Sequence, residues 1–339
     1  MRSRIVTLLA LTTSLLFACA KSETAAPAAG SASASKRSFT IAVIPQGSTH
    51  EFWKSIHAGA MKAARDEAAE NVAIEIIWKG PMREDDREQQ VQVVEGFLNG
   101  QVQGIVLAPF DKNALVRPVE EAKRAGVPTV VIDSALESDD PISFVASNNL
   151  HGGELAAEEM ARLLGGKGKV LVLRYQEGVF STEQREKGFV ERIAKFPGIQ
   201  IISSNQFAGA TRDTAKTASE NLLNRYGGEI DGMFTPNESS TAGALLALED
   251  AGLAGKIKFI GFDSSDIFVT AIRDGKLNGI VVQNPFRMGE LGVKTLVAHL
   301  LGKPVEKRVD TGVTLITPAN LDTAESQTLL RPPLEEYLK

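Results

Sequence analysis

TIAVIPQGSTHEFWKSIHAGAMKAARDEAA, residues 40–69, places a short β-branched, apolar run directly ahead of a long amphipathic one. Thr40–Ile44 has the composition of a parallel strand covered on both faces, and the polar turn after it leads into a helix predicted over Phe52–Ala69. The unit recurs. Further strands are predicted at Ile74–Trp78, Ile105–Ala108, Thr129–Ile132 and Phe144–Ala146, then at Lys169–Leu173, Gln200–Ser203, Gly232–Thr235, Ile257–Gly261 and Ile280–Gln283. Helices are predicted between them, at Arg87–Leu98, Ala114–Ala125, Gly153–Leu164, Thr182–Lys195, Arg212–Asn224, Ser240–Ala251 and Met288–Leu301. Such alternation predicts doubly wound α/β sheets. Strands begin near residues 40, 74, 105 and 129 and again near 169, 200, 232 and 257, so the chain reads as two similar open sheets in series. A single long α/β domain is the alternative at this point.

The N-terminal segment differs from this body. Arg2 and Arg4 precede a mostly apolar run, Ile5–Phe17. That run is shorter than the about 20 residues a membrane-spanning helix needs, but it suits the core of a signal peptide. It closes on Leu16-Phe17-Ala18-Cys19, which resembles a bacterial lipobox although Phe17 stands where a small residue is usual, and Cys19 is the only cysteine in 339 residues. We therefore expect residues 1–18 to be a signal peptide, Cys19 to carry lipid, and residues 19–37, rich in Ala, Ser, Pro and Gly, to be a flexible tether. A plain cleaved signal with an incidental cysteine is the alternative. The formal charge of −5 becomes −7 once the two cations Arg2 and Arg4 leave with the signal. There is no basic stripe to grip nucleic acid, and no second apolar stretch of membrane length. The expected location is outside the cytoplasm, lipid-anchored in the bacterial cell envelope (periplasm or outer cell surface), with the membrane touched only through lipid.

In open α/β sheets ligands bind beyond the carboxyl ends of the strands. The residues there are Gly47 to Trp53 after the first strand, Trp78 and Lys79 at the second, Pro109-Phe110-Asp111 at the third and Asp133-Ser134 at the fourth. In the second half they are Arg185 at a helix start, Asn237-Glu238, Phe262-Asp263 and Gln283-Asn284-Pro285. Carboxylates, amides, a guanidinium and flat rings suit a carbohydrate, whose hydroxyls pair with the polar groups while its C–H faces pack on the aromatics. Each residue also has a plainer explanation. Asp133, Asp263 and above all Asp111 could cap the next helix. Trp78 could cover a sheet edge, and Glu84-Asp85-Asp86 is expected only to stabilise a helix dipole. His57 and His299 are expected to be structural.

These residues, in this order, resemble the periplasmic sugar-binding proteins of the ribose-binding type, whose fold is shared with the effector domain of the lac repressor family. The resemblance spans about Phe39 to Val313. It rests on His50-Glu51-Phe52-Trp53, Asp133, Ala146-Ser147-Asn148-Asn149 with Gly152-Gly153, Arg185-Glu186-Lys187-Gly188-Phe189, Pro236-Asn237-Glu238, Gly261-Phe262-Asp263 and Gln283. It implies a type I periplasmic binding protein: two lobes joined by three crossovers, near Ser147, near Asn284 and around Thr311–Thr314, closing over a ligand. The expected lobes are 38–147 with 284–312, and 148–283 with 313–339 as second lobe and tail. Ligand contacts are implied from Phe52, Trp53, Asp133, Arg185, Asn237, Phe262, Asp263 and Gln283. His50 and Asp111 join this set from their strand-end positions, and Trp78, Lys79 and Glu238 are further possible contacts. The chain departs from the ribose pattern at His50 and Ala108, each in place of Asn, at Ser134 in place of Arg, and at Ala210 in place of an aromatic. These changes point away from ribose itself.

The implied role is solute binding for an ABC importer, with an inner-membrane permease as partner, a sugar-like ligand, no cofactor, no metal, and the chain acting as a monomer. A sensor for chemotaxis or a signalling receptor is the alternative. An enzyme is disfavoured because the sequence has no G-x-S-x-G and no phosphate loop, and because Gly165-Gly166-Lys167-Gly168 precedes its strand rather than following it. An acid–base role for Asp133 and Asp263, as in glycosidases, is the enzymatic alternative. A DNA-binding regulator would need a helix-turn-helix where this chain has its export signal.

Overall fold

A computed structural model describes residues 37–338 except Thr49 and Gln101; the signal, Cys19 and nearly all of the tether lie outside the described residues. In chain order the strands are β1 (Arg37–Ile44), β2 (Val72–Trp78), β3 (Gly104–Leu107), β4 (Thr129–Ile132), β5 (Ser143–Ala146) and β6 (Lys167–Arg174), then β7 (Gly198–Phe207), β8 (Gly232–Phe234), β9 (Lys258–Phe262), β10 (Gly279–Gln283), β11 (Arg308–Asp310) and β12 (Val313–Ile316). The helices are α1 (Glu51–Ala69), α2 (Arg87–Phe97), α3 (Val116–Arg124), α4 (Asn149–Leu163), α5 (Phe180–Ile193) and α6 (Arg212–Tyr226), then α7 (Glu238–Asp250), α8 (Asp266–Arg273), α9 (Pro285–Leu300), α10 (Ala324–Leu330) and α11 (Leu334–Tyr337).

Two six-stranded sheets result, ordered β11-β5-β4-β3-β1-β2 and β12-β10-β9-β8-β6-β7. All pairings in the first are parallel, and in the second only β12 runs antiparallel, against β10. This is the doubly wound, two-lobed α/β architecture that the alternating runs predict. The strand period of two divides each sheet's side chains between two cores. Ile41 and Val43 of β1 join the cluster under α1 and α9, while Ala42 and Ile44 join the opposite one under α2 and α3. The second lobe repeats this, with Val170 and Val172 under α4 and α5 and Leu171 and Leu173 under α6, α7 and α8. The closest helix pairs meet at glycines. A methyl group at Gly59 would lie 1.9 Å from the Phe286 carbonyl oxygen, and one at Gly153 would lie 2.0 Å from that of Arg185.

The chain crosses between the sheets three times: from β5 into α4, from β10 into α9, and from β11 into β12. Asn148 and Asn284 cap the helices that leave the first two crossings, accepting from the amides of His151 and Arg287. The third is tied to the first: Ser147 Oγ donates to the Gly312 carbonyl at 2.7 Å and lies 3.2 Å from Thr311 Oγ1. The strands β11 and β12, only three and four residues long, carry no alternation to announce them. The tail does not stay with the second lobe. α10 packs there, but α11 returns to α1 of the first lobe, where Arg65 bonds Glu336 at 2.6 Å and Tyr337 lies 5.7 Å, ring to ring, from Phe286. The half-buried aromatic of this four-residue helix packs where a partner ring stands, and that ring is on α9.

Candidate ligand-binding site

The carboxyl ends of the two sheets face each other across an enclosed cavity. The first lobe contributes Gln46 beyond β1, His50, Phe52 and Trp53 at the start of α1, Glu84 from the β2–α2 loop and Asp133 beyond β4. The second contributes Tyr175 and Val179 beyond β6, Ser181, Thr182 and Arg185 on α5, Asn237 and Glu238 at the start of α7, Asp263 beyond β9, and Gln283. The space open to the centre of a water molecule is about 40 Å³. That is room for a small solute, walled by polar and aromatic side chains of both lobes.

Arg185 is 3% exposed and its guanidinium lies 4.2 Å from the ring centre of the fully buried Phe262. Its Nε donates to Asn149 Oδ1 at 2.8 Å and its Nη1 to the Pro236 carbonyl at 3.0 Å, with Asp263 Oδ2 at 3.8 Å. Asp263 accepts from Gln283 Nε2 at 2.8 Å and from the Glu238 amide at 3.1 Å. Gln283 Oε1 is buried without a protein partner among the described residues. Asp133 accepts from Gln46 Nε2 at 3.2 Å. Burial pushes the Asp133 carboxyl up to about 7 despite the charge of Arg185, and burial likewise raises Asp263.

Both aspartates sit in the left-handed region, at φ 62° and 65°, among only three non-glycine residues with positive φ in the described chain. Such a backbone costs about 1–3 kcal/mol and persists where the surroundings impose it. It turns each carboxylate into the cavity at equivalent strand ends of the two lobes. Capping accounts for little of this. The helix after Asp263 is capped by Ser265 in position, and no helix follows Asp133 before β5. Asp263 does cap across space, through the amide at the first turn of α7.

The group that sequence analysis leaves without a role is central. Asp86 does cap α2, accepting from the Gln89 amide, but Glu84 turns into the cavity. One oxygen accepts from Trp53 Nε1 at 2.6 Å and faces His50 Nδ1 at 2.9 Å, and the other accepts from Tyr175 OH at 2.9 Å. Burial would raise this carboxyl, but the hydrogen bonds and charge of His50, with Trp53 and Tyr175, hold it below its usual value. Glu84 in turn raises His50. Glu238 is paired with Arg212, yet burial dominates and raises it.

Of the expected contacts, His50, Phe52, Trp53, Asp133, Arg185, Asn237, Glu238, Asp263 and Gln283 line one cavity. Four do not. Asp111 accepts from the amides of Asn113 and Ala114 at 2.8 and 2.9 Å and pairs with Arg87, so it shapes the turn before α3. Trp78 stacks on His57, ring centres 4.4 Å apart, against the α1 side of its sheet. Lys79 points toward Phe97, 5.8 Å from the ring, and Phe262 lies beneath Arg185 rather than in the cavity. Gln46, Glu84, Tyr175, Val179, Ser181 and Thr182 complete the lining without having been expected. Gln46 and Tyr175 stand just past β1 and β6, positions the strand-end rule covers, and Val179, Ser181 and Thr182 form the start of α5; Glu84 comes from a loop that only the tertiary fold brings in.

The lobes are closed on each other. Besides the Tyr175–Glu84 bond, the Ser181 amide donates to Ser134 Oγ at 3.2 Å, the Lys112 amide to the Gly178 carbonyl at 3.1 Å, and Lys112 Nζ to Glu183 at 2.7 Å. Among the described residues no group of three or more His, Cys, Asp and Glu is placed to hold a metal ion.

Residues 41–304 match the family described as periplasmic binding protein domain. The chain is similar to the ribose import binding protein of Bacillus subtilis, 31% identical over 95% of this chain and 99% of that one. It is also similar to the xylitol-binding protein of Mycolicibacterium smegmatis, 29% identical over 78% of this chain and 74% of that one. Among solved structures it resembles an ABC transporter solute-binding protein from Agrobacterium vitis with bound D-fucose, at 35% identity, covering 86% of this chain and 100% of that one with TM-score 0.81. A carbohydrate transporter solute-binding protein from Agrobacterium radiobacter in complex with D-arabinose has 32% identity and TM-score 0.81 over 87% of this chain and 99% of that one.

Proposed function

This chain belongs to the periplasmic binding protein family, and from that premise we propose that it captures a single monosaccharide or polyol in the closed cleft and delivers it to an ABC importer. The observation that carries this is the matched pair of left-handed aspartates, one from each lobe, flanking Arg185 in a small cavity lined by both lobes. Ionised carboxylates accept hydroxyl protons, a guanidinium donates to hydroxyl and ring oxygens, and Gln283 Oε1 is an acceptor left for the solute. Phe52 and Trp53, edge to face at 5.0 Å, supply the apolar wall that a C–H face needs.

A solute touching both lobes stabilises the closed form over the open one, and only that difference drives closure. The test is a melting-temperature screen of pentoses, hexoses and polyols, in which a binder at a hundredfold excess over Kd stabilises by about 2.7 kcal/mol. The binder is then expected to reduce the radius of gyration in solution scattering and to change Trp fluorescence. A Trp78→Phe background isolates the Trp53 signal, since these are the only two tryptophans. A saturating binder that leaves the scattering curve unchanged rules out the closing mechanism.

The proposed partner is an inner-membrane permease, and the proposed anchor is lipid on Cys19. Cys19→Ser is expected to move the protein from the membrane to the soluble fraction. An unacylated mature N-terminus in mass spectrometry of the wild type would dismiss the anchor.

A further inference from the structure

Glu84 and Tyr175 line the inner site of about 40 Å³, and the residues next to each of them in the chain line a second, larger space. This is an open hollow of about 870 Å³ between the lobes, whose lining includes those neighbours, Asp85 and Gln176, with Glu177, Gln206 and the exposed ring of Phe207. The partition is built rather than incidental. The Glu84 carboxylate is fixed by three donors, two from its own lobe and one from the other. Gly47 leaves room for its stem: a methyl there would lie 2.8 Å from Glu84 Cγ. Behind the Tyr175 ring, Phe110 of the first lobe and Val179 of the second form a separate apolar cluster that seals the seam. The hollow offers carboxylates, amides and an aromatic face, the same chemistry that the inner site offers to a sugar.

Building on the proposed sugar-binding role, we propose that the Glu84–Tyr175 pair sets ligand length: it confines the inner site to one ring, and the hollow beyond can hold a second sugar ring only when that pair is opened. Glu84 is on this account a residue that determines specificity by excluding longer saccharides.

The test is calorimetry of wild type, Glu84→Ala, Glu84→Gln and Tyr175→Phe with D-xylose, D-arabinose, D-glucose and D-galactose, and with xylobiose, arabinobiose, cellobiose and lactose. The wild type is expected to bind a monosaccharide and to exclude the disaccharides. Glu84→Ala is expected to bind a disaccharide about tenfold or more tighter than wild type does, which is about 1.4 kcal/mol. Tyr175→Phe, which removes only the bridging hydroxyl, should show a smaller gain in the same direction. Glu84→Gln keeps the bulk and should keep the exclusion. A wild type that binds a disaccharide as well as its monosaccharide overturns the proposal. So does a folded Glu84→Ala protein with no gain; if that variant does not fold, absence of gain in Tyr175→Phe decides the matter. A wild type that answers to none of these sugars, nor to any pentose, hexose or polyol of the melting-temperature screen, removes the sugar-binding role itself, and the partition with it.

Discussion

Arg185→Met is expected to abolish solute capture and to cost the fold about 3–5 kcal/mol, the range for removing one partner of a buried charge cluster. The guanidinium is the cation set nearest Asp263 in the cleft, and its charge opposes the rise of both Asp133 and Asp263. Without it two buried carboxylates remain, each pushed up further. For a carboxyl raised in the folded state, stability is present below the unfolded value and is lost as pH rises through the folded one. The variant should therefore recover stability on acidification from pH 8 toward pH 5, where the orphaned aspartates protonate. Urea denaturation at three pH values checks this, and a variant whose deficit does not shrink with acid would mean that Arg185 acts by packing on Phe262 alone.

Asp133→Asn and Asp263→Asn should each weaken binding about tenfold or more, because each replaces a charge-assisted hydrogen bond worth about 1.5–3 kcal/mol. Asn tolerates the left-handed backbone that both positions hold, so the stability loss should be small; Ala at the same positions would add strain. The pH dependence separates the two. Asp133 is raised to about 7 by burial, with Arg185 opposing that rise and the nearby Asp263 and Glu84 carboxylates adding to it. Solute hydroxyls donate best to its ionised form, so affinity should fall as pH drops from 8 to 6 and capture near neutral pH should release a proton. Asp133→Asn removes that slope. Titration calorimetry in buffers of different ionisation enthalpy measures the proton. An affinity flat across this range, or a marked drop in melting temperature with affinity unchanged, contradicts the assigned role.

The fold and the charged centre of the site are legible in the sequence for one reason. Strand ends in open sheets project into the cleft, so Asp133, Asp263, Asn237 and Gln283 follow from strand positions alone. What lies on loops does not follow. Glu84 precedes a helix, and locally it is indistinguishable from its neighbour Asp86, which does cap that helix. Only the approach of Gly47, His50 and Trp53, some thirty residues back in the chain, turns it inward. Asp111 shows the converse: a carboxylate at a strand end whose own backbone amides satisfy it first. The strands β11 and β12 escape because their pairing comes from the sheet edges they meet rather than from any alternation of their own.

The Ser147–Gly312 bond joins the third crossing to the first, and the expected consequence is that the two swing together as one linkage. In such a device the open–closed balance multiplies every dissociation constant by the same factor, the inverse of the fraction already closed. Sensitivity and selectivity are then set in different parts of the molecule: the cleft ranks the solutes, and the hinge fixes the concentration at which the whole ranking operates. Loosening Ser147 would act as a gain control, sliding the dose–response curves of all solutes along the concentration axis by one common interval, and a shift that differed between solutes would show that hinge and cleft are not separate.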